Sequence, residues 1–561
     1  MSRSPLLSTL RRHLALALHQ RDSGIADPVE AAASLSALRL SRRAALLGIG
    51  SAAALAACRL KTGPGDDSGG SDSATDSSVD TAANPLQVAI IGGGIAGLHC
   101  AYRLTQAGLA PVVYEASTRT GGRMYTGRDL FLDGQICELG GELIDTDHLT
   151  LWALADEFGL QLDDRWAGDD ALTETWWIGG VNVPVSTLIA QLLAILPTVN
   201  AHIAESQGGA VGFARWNNTS LKDWLTTYVP VASSPELNAA LDVAYAGEYG
   251  LDTSQQCCMN MLWMLATVNA SDTADFQTIG NSDERYHTHL GNDSFPAALA
   301  ATIAPDQIRV GMTLTYAAAN SDGSYTLGFL TADGNSATIA CDHVVFALPF
   351  TTLRLVDLSG LALSSQKTTI IQTLGYGTNA KVMAGFSRAV WREDHASTGD
   401  FSTDLPVQAC WDSSIGQTGG SAILTNFLSA AQGVACGDGS AGDWIVGVLP
   451  DIEAAWPGTT AAYTGTAVRM HWPTVPTMLG SYSCYLVGQA SFLGLEGVRE
   501  GNVHFCGEHT SPDFQGWMEG AALSGGLVAA EILGDLGVAM TASHARAVGP
   551  GMVRRWRKRP V

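Results

Sequence analysis

Three glycines near residue 90 have the spacing of a turn that binds a phosphate group. Gly92, Gly94 and Gly97 follow the apolar run Val88–Ile91, and an apolar helical pattern follows them. A second apolar run then ends at the acidic residue Glu115. In such a unit the glycines admit a pyrophosphate to a helix N-terminus, and the acid accepts a hydrogen bond from a ribose hydroxyl. The spacing therefore predicts a Rossmann-type dinucleotide site; the alternative is a glycine turn with a structural role only.

The residues after Glu115 distinguish between the candidate dinucleotides. They read EASTRTGGRMYT, and this pattern resembles the flavin amine oxidase family, in which it follows the Rossmann unit and wraps the diphosphate of FAD. The resemblance implies FAD as the cofactor. It also implies as cofactor contacts the residues Gly92, Gly94, Gly97, Glu115, Arg119, Gly122 and Arg123.

Further segments similar to the same family continue to about residue 536. IRVGMTLTY resembles the stretch that returns to the adenine, where Val310 would contact the ring, although the double glycine that usually precedes it is Leu290-Gly291 here. GEHTSPDFQGWMEG resembles the motif that closes on the flavin ring. It implies Glu508 at the ribityl-phosphate region and backbone N–H groups around Met518 at the pyrimidine ring, where a helix N-terminus stabilises negative charge.

Three side chains carry the chemistry that the resemblance implies. Lys381 stands among alternating apolar residues, and it is similar to the lysine that holds a water at flavin N5 in monoamine and polyamine oxidases. Tyr482 and Trp517 take the places of two aromatic residues that face each other before the flavin and steer an amine. The plainer alternatives are a lysine that reaches solvent at a strand edge and two aromatic core residues. Ser481 replaces the cysteine that bonds the flavin in mitochondrial relatives, so we expect non-covalent FAD.

The resemblance implies an oxidase that removes a hydride equivalent from the carbon next to an amine nitrogen. Its products are an imine, which hydrolyses to a carbonyl compound, and hydrogen peroxide formed from oxygen. The segment GGELID lacks the arginine with which relatives hold the carboxylate of L-amino acids, so we expect a monoamine or polyamine substrate. Glu142 could pair with a distal ammonium or stand behind the substrate. The alternatives are an L-amino-acid oxidase, an enzyme like the FAD-dependent desaturases or protoporphyrinogen oxidases, and a non-catalytic flavin-stabilised binding protein.

The net charge and the cysteine spacing argue against two kinds of partner, nucleic acid and metal ions. The 561 residues carry 31 Lys plus Arg against 54 Asp plus Glu, and the resulting formal charge of −23 argues against nucleic acid. The ten cysteines show no CxxC motif and no clustering with histidines at metal spacing, so no metal site is expected. The sequence makes no prediction of oligomeric state.

The first 85 residues predict an export signal and a linker. Arg42 and Arg43 precede a short apolar run, which resembles a twin-arginine (Tat) signal. The run ends in LAAC, which resembles a lipobox whose Cys58 would be acylated and would attach the protein to a membrane. An ordinary leader with a chance cysteine is the alternative. Residues 62–85 contain almost no apolar side chains and predict a flexible linker. We therefore expect a periplasmic or cell-surface protein.

The expected fold is mixed α/β, with a Rossmann-type FAD-binding domain and a substrate-binding domain of helices and mixed sheet. The FAD-binding domain would be built from three separated segments. The expected boundaries are 1–58 for the signal, 59–85 for the linker, 86–145, 277–356 and 486–537 for the FAD-binding domain, 146–276 and 357–485 for the substrate domain, and 538–561 for a tail.

Overall fold

The computed structural model describes residues 86–167, 171–268, 270–271 and 275–549. The predicted export signal with Arg42, Arg43 and Cys58, the linker, and the last residues of the C-terminal tail lie outside the described residues.

Strands make up six sheets in the described part of the chain. They are β1 (Val88–Ile91), β2 (Val112–Tyr114), β3 (Thr126–Gly127), β4 (Cys137–Glu138), β5 (Leu162–Asp164), β6 (Thr173–Ile178), β7 (Val181–Asn182), β8 (Tyr286–Thr288), β9 (Ile308–Arg309), β10 (Met312–Ala319), β11 (Tyr325–Thr331), β12 (Ser336–Cys341), β13 (His343–Phe346), β14 (Asp357–Gly360), β15 (Gly375–Tyr376), β16 (Ala380–Phe386), β17 (Ser397–Thr403), β18 (Ala409–Asp412), β19 (Ala422–Leu428), β20 (Tyr463–His471), β21 (Ser483–Cys484) and β22 (Val503–Phe505).

Helices connect many of these strands, and five of them follow one another between β7 and β8. The α-helices are α1 (Ile95–Gln106), α2 (Leu149–Phe158), α3 (Val185–Gln207), α4 (Ala210–Asn217), α5 (Leu221–Tyr228), α6 (Pro235–Tyr249), α7 (Met259–Leu265), α8 (Ser294–Ala301), α9 (Phe350–Leu353), α10 (Ser365–Thr373), α11 (Val390–His395), α12 (Ala430–Ala435), α13 (Ala441–Ala455), α14 (Thr459–Ala462), α15 (Met518–Asp535) and α16 (Ala542–Val548). Short 3-10 helices span Leu132–Gly134, Pro305–Gln307, Trp472–Thr474, Ala490–Phe492 and Glu508–Thr510.

A five-stranded parallel sheet contains the predicted glycine turn. Its order is β22-β13-β1-β2-β9, so its strands come from three separated parts of the chain. β1 lies between β13 and β2, where Ile91 is opposite both Phe346 and Tyr114. All four residues of β1 are buried, as expected of a parallel strand that is covered on both faces. The mixed α/β architecture predicted from the sequence is confirmed.

A seven-stranded sheet forms the second half of the molecule around β16. Its order is β20-β16-β19-β18-β17-β6-β7, and β16 pairs antiparallel with both of its neighbours. Strands β6 and β7 come from residues 146–276, the first of the two segments predicted for the substrate-binding domain. β6 pairs in parallel with β17, and its Trp176 and Ile178 are buried. Paired hydrogen bonds and an apolar face therefore place this short stretch in the sheet rather than among the helices α3 to α7.

One helix within the described ranges, α3, is long and apolar enough to cross a membrane by length and composition alone. Its Leu188, Leu192 and Val199 belong to a buried cluster that also contains Trp216 and Trp224. These contacts are typical of a helix that covers the core of a folded domain.

Helices α1 and α15 pack directly against each other. Gly525 of α15 lies so close to α1 that an added Cβ would collide with the carbonyl oxygen of Ala96. Buried apolar residues of both helices share one core cluster with β1. This close packing fixes the two helix N-termini relative to each other, and both open onto the same cavity.

Candidate active site

A cavity of about 370 Å³ is lined by residues from both large sheets. A volume of this size suits a small-molecule or cofactor site. Most of the residues predicted from the sequence line it, namely Gly92, Gly94, Glu115, Gly122, Arg123, Glu142, Lys381, Tyr482, Glu508, Trp517 and Met518. Gly97, Arg119 and Val310 are not among the lining residues.

The three glycines of the first turn are needed for different reasons. Gly92 has a φ of +113°, and an added Cβ would lie 2.6 Å from the carbonyl oxygen of Ala347. A Cβ at Gly97 would collide with the carbonyl oxygen of Gly92, so this glycine lets α1 approach β1. A Cβ at Gly94 would meet no atom within 4 Å, because Gly94 faces the cavity at the N-terminus of α1. The space in front of Gly94 is therefore open to a ligand that approaches the backbone.

Glu115 closes the turn from the end of β2. Its Oε2 accepts a hydrogen bond from the Gly93 N–H at 2.8 Å, and its Oε1 accepts one from the Ser117 N–H at 2.8 Å. Each carboxylate oxygen has a second lone pair, so the group can also accept hydrogen bonds from a ribose. The position fits the role predicted for Glu115.

Arg119 was predicted as a cofactor contact, and in this structure it is not among the residues that line the cavity. Its guanidinium donates to the carbonyl oxygens of Thr120 at 3.1 Å and Gly122 at 2.7 Å, and it lies 3.9 Å from the centre of the Tyr125 ring. These bonds hold the shape of the glycine turn, whose Gly121 and Gly122 line the cavity.

Val310 was predicted to contact the adenine, and it too is absent from the cavity lining. Its side chain is 47% exposed and lies outside the cavity, whereas Met312, Thr313 and Leu314 line it. The cause is Gly311, whose φ of +70° turns the chain between β9 and β10. This turn directs Val310 to the surface and the start of β10 to the cavity.

Arg123 and Glu508 form an ion pair on the cavity wall. Arg123 Nη1 donates to Glu508 Oε1 at 2.9 Å and to the Ser481 carbonyl oxygen at 2.7 Å. Glu508 Oε2 accepts from Ser483 Oγ at 2.8 Å and from the Gly516 N–H at 2.7 Å. Burial raises the pKa of Glu508, but the charge of Arg123 and these hydrogen bonds outweigh it and hold the pKa below its usual value. The pair connects three distant segments at the predicted FAD site.

The N-terminus of α15 opens onto the cavity without a side-chain cap. Trp517 is its N-cap residue and Met518 its first residue, and both line the cavity. The next residue, Glu519, turns away and caps α2 by accepting from the N–H groups of Thr150 and Leu151 at 2.8 and 2.9 Å. Burial raises the pKa of Glu519 to about 7. The first-turn N–H groups of α15 thus remain available for a ligand that carries or develops negative charge.

The residues present fit FAD. A phosphate can approach the backbone at Gly94, a ribose can bind Glu115, and the uncapped helix at Met518 suits the polar edge of an isoalloxazine ring. Trp517 Nε1 is buried without a hydrogen-bond partner, which leaves one donor at this wall. Ser481 lines the cavity, and its Oγ bonds Asn379 Oδ1 at 2.6 Å.

Lys381 points into the protein from β16, which is paired with a strand on each side, and not out at a strand edge. Its side chain is 5% exposed, and its Nζ donates to Glu142 Oε2 at 2.7 Å and to the carbonyl oxygens of Gly140 and Glu138 at 2.8 and 3.1 Å. Burial raises the pKa of Glu142, but Lys381 and a hydrogen bond from Ser413 outweigh it and lower the pKa to about 2. Glu142 is therefore bound to Lys381. This pairing favours a place for Glu142 behind the substrate over a direct bond to a distal ammonium group of the substrate.

Aromatic side chains line the cavity: Tyr482 and Trp517, both predicted, are joined by Trp472, Trp411 and Phe427. Trp411 and Phe427 are the neighbours of Lys381, the first by its ring and the second across the β16–β19 pair. The Tyr482 hydroxyl donates to the Gly247 carbonyl oxygen at 3.0 Å. The sequence prediction missed Trp411 and Phe427 because they belong to no motif. Burial alternates along β18, but every residue of β19 is buried, so no alternation distinguishes Phe427.

His148 packs its ring against Trp517, with 4.9 Å between ring centres. With Asp145 and Asp147 it brings potential metal-ligand atoms within 4.8 Å of one another. The Asp145 N–H donates to His148 Nδ1 at 2.9 Å, and this places the proton of the neutral ring on Nε2. A protonated Nε2 does not ligate a metal, so we assign His148 to the support of Trp517.

A Rossmann-type sheet, a phosphate-binding turn and an aromatic cavity beside a buried lysine define a dinucleotide-dependent oxidoreductase. Residues 95–533 match the family model described as flavin containing amine oxidoreductase, and the chain belongs to that family. It is a flavin-dependent amine oxidase, and its cofactor is FAD.

Named relatives agree with this assignment. The chain is 24% identical to the L-amino-acid oxidase of Mus musculus over 471 residues, which cover 81% of this chain and 71% of the relative. It is 23% identical to the flavin-containing amine oxidase A of Bos taurus over 483 residues, which cover 81% and 86%. Its fold is similar to that of putrescine oxidase bound to putrescine, with a TM-score of 0.67, 21% identity and coverage of 80% of this chain and 100% of that chain.

Proposed function

We propose that this enzyme oxidises simple amines or polyamines rather than L-amino acids. Arg123 and Lys381 are the only cationic side chains among the described residues that line the cavity. Arg123 is paired with Glu508 at 2.9 Å, and Lys381 with Glu142 at 2.7 Å. A substrate carboxylate would need a cation that is free to bind it. The pairing of both cations supports a substrate without that group.

FAD, when bound, accepts a hydride equivalent from the carbon next to the amine nitrogen and passes the electrons to oxygen, which becomes hydrogen peroxide. Trp517 and Tyr482 orient the amine by contact with their ring faces. Their apolar surroundings favour the uncharged amine, which is the form that can release a hydride. The N-terminus of α15 stabilises negative charge at its end of the cavity.

A substrate panel with a peroxide readout tests this proposal. Purified full-length protein is mixed with monoamines, diamines and L-amino acids, and flavin bleaching is followed without oxygen to confirm electron transfer. We expect amines to bleach the flavin and to yield peroxide. Robust turnover of L-amino acids with none of amines would reverse the assignment. Bleaching only by compounds without an amine would favour a desaturase-like activity, and no bleaching by any compound would favour a binding protein.

The aromatic wall has a test of its own. Trp517→Ala removes one face of the proposed slot, so we expect kcat/KM for the best amine to fall by about 10- to 100-fold. Trp166→Ala is the matched control, because Trp166 is 48% exposed and lies outside the cavity. Equal effects of the two substitutions would contradict the role assigned to Trp517.

A further inference from the structure

Lys381 has three hydrogen-bond acceptors around its Nζ. They are the Glu142 carboxylate and the carbonyl oxygens of Gly140 and Glu138, at distances of 2.7 to 3.1 Å. An ammonium group has three N–H donors, so these acceptors satisfy the charged form completely. A neutral amine would leave one of the acceptors without a donor. The geometry therefore fits Lys381 as an ammonium.

Glu142 is itself held on its other side. Its Oε1 accepts from Ser413 Oγ at 2.7 Å, and Ser413 Oγ lies 2.6 Å from Thr425 Oγ1. Glu142 comes from the segment after β4, whereas Ser413 directly follows β18 and Thr425 lies in β19, the neighbour of β16. The carboxylate is thus clamped between Lys381 and a hydroxyl pair. These contacts on both carboxylate oxygens fix the position and the orientation of the Glu142 side chain.

Because both side chains are buried, the positive charge on Lys381 needs the negative charge of Glu142 beside it. The side chains of Lys381 and Glu142 are 5% and 6% exposed, so water screens neither of them. A buried ammonium without a counter-ion is unfavourable and tends to lose its proton. The nearby Trp411 ring, 5.1 Å from Nζ, contributes only a weak additional attraction. The charge on Lys381 depends mainly on Glu142.

We propose that Glu142 is the positioning residue of Lys381: it holds the ammonium at the cavity wall and keeps it charged while oxygen reoxidises the enzyme. This inference rests on the proposed oxidase function. A fixed positive charge stabilises the negative charge that develops when oxygen receives an electron. The reaction with amine needs no such charge, so the two half-reactions depend on Glu142 differently.

Lysine NMR tests the charge without reference to activity. The chain contains five lysines, so protein labelled with [13Cε]lysine gives few signals, and Lys381→Met assigns the one of interest. In the wild-type holoenzyme, at the pH of the peroxide assay, we expect an ammonium signal from Lys381. In Glu142→Gln we expect the signal of a neutral amine under the same conditions. An unchanged ammonium signal in Glu142→Gln would overturn the proposal.

Separate measurement of the two half-reactions tests the consequence. We expect Glu142→Gln to slow reoxidation by oxygen by about tenfold or more and to change flavin reduction by amine less than about threefold. The double variant with Lys381→Met should reoxidise no more slowly than Lys381→Met alone. Glu157→Gln is the matched control, because it breaks a buried ion pair with Arg103 outside the cavity and should leave reoxidation unchanged.

The outcomes separate this inference from the proposed function. Loss of amine reduction in Glu142→Gln would identify Glu142 as a substrate contact and would overturn the positioning role. If no amine reduces the wild-type enzyme, the proposed function fails, but the NMR comparison still decides whether Glu142 holds Lys381 as an ammonium.

Discussion

Gly94→Ala and Gly97→Ala form a pair that separates cofactor binding from folding. The two glycines stand three positions apart in the same turn, yet the space around them differs. An added Cβ at Gly94 meets no protein atom within 4 Å and enters the cavity, whereas a Cβ at Gly97 collides with the carbonyl oxygen of Gly92. Gly94 has a φ of −74°, which alanine adopts without strain. Gly94→Ala should therefore weaken FAD binding, and Gly97→Ala should destabilise the folded protein.

The expected magnitudes follow from these contacts. Gly94→Ala changes only the N-cap residue of α1, so its cost to the apoprotein should stay below about 1 kcal/mol. Its methyl group keeps a pyrophosphate from the backbone, and a loss of about 1.4 to 3 kcal/mol would weaken FAD binding by about 10- to 100-fold. Gly97→Ala forces α1 away from β1, and overpacking of this kind costs about 1 to 3 kcal/mol or more.

Two measurements on the apoproteins check this prediction. Thermal unfolding without FAD should show a lower Tm for Gly97→Ala and almost no change in Tm for Gly94→Ala. Titration with FAD, followed by quenching of flavin fluorescence, should show the weakened binding of Gly94→Ala. The reasoning would be refuted if Gly94→Ala bound FAD as tightly as the wild type, or if Gly97→Ala were as stable as the wild type.

Three further predictions concern other parts of the chain. Acid precipitation should release the flavin into the supernatant, because Ser481 has no thiol to bond it; flavin that stays with the pellet would contradict non-covalent binding. The pKa of Glu142 is lowered to about 2 in the folded protein, so its contribution to stability should be present above its ordinary value of about 4.5 and should disappear as pH falls through 2. Acid unfolding should therefore be less steep for Glu142→Gln, and identical curves would refute this. Cys58→Ser should move the protein from the membrane fraction to the soluble fraction of a bacterial host, and unchanged fractionation would argue against acylation.

Sequence reasoning succeeded where neighbouring residues determine the structure. The turn from Gly92 to Gly97 lies within one βαβ unit, so its spacing encodes both the strand and the helix that follow. The helix start at Met518 is likewise local, since Trp517 and the residues after it define the end of a loop and an apolar helix.

Sequence reasoning was incomplete where a single turn or a distant partner sets the position of a side chain. Val310 was assigned by similarity, and beside the turn at Gly311 it is the start of β10, with Met312, that lines the cavity. Glu142 and Lys381 are 239 positions apart, and no local pattern shows that their side chains meet. Trp411 faces the cavity only because β18 pairs with β19 in one register. Tertiary pairing, rather than propensity, sets these positions.

The parallel sheet is built from three separated segments of the chain, and this has a consequence for biosynthesis. β13 needs β22 as its outer neighbour, and β22 spans Val503–Phe505, close to the end of the described chain. The helix α15, which lines the cavity, follows even later. A growing polypeptide therefore cannot complete the flavin site until β22 and α15 have left the ribosome. Contacts of such long range form slowly, so assembly of the site and flavin uptake should come at the end of folding.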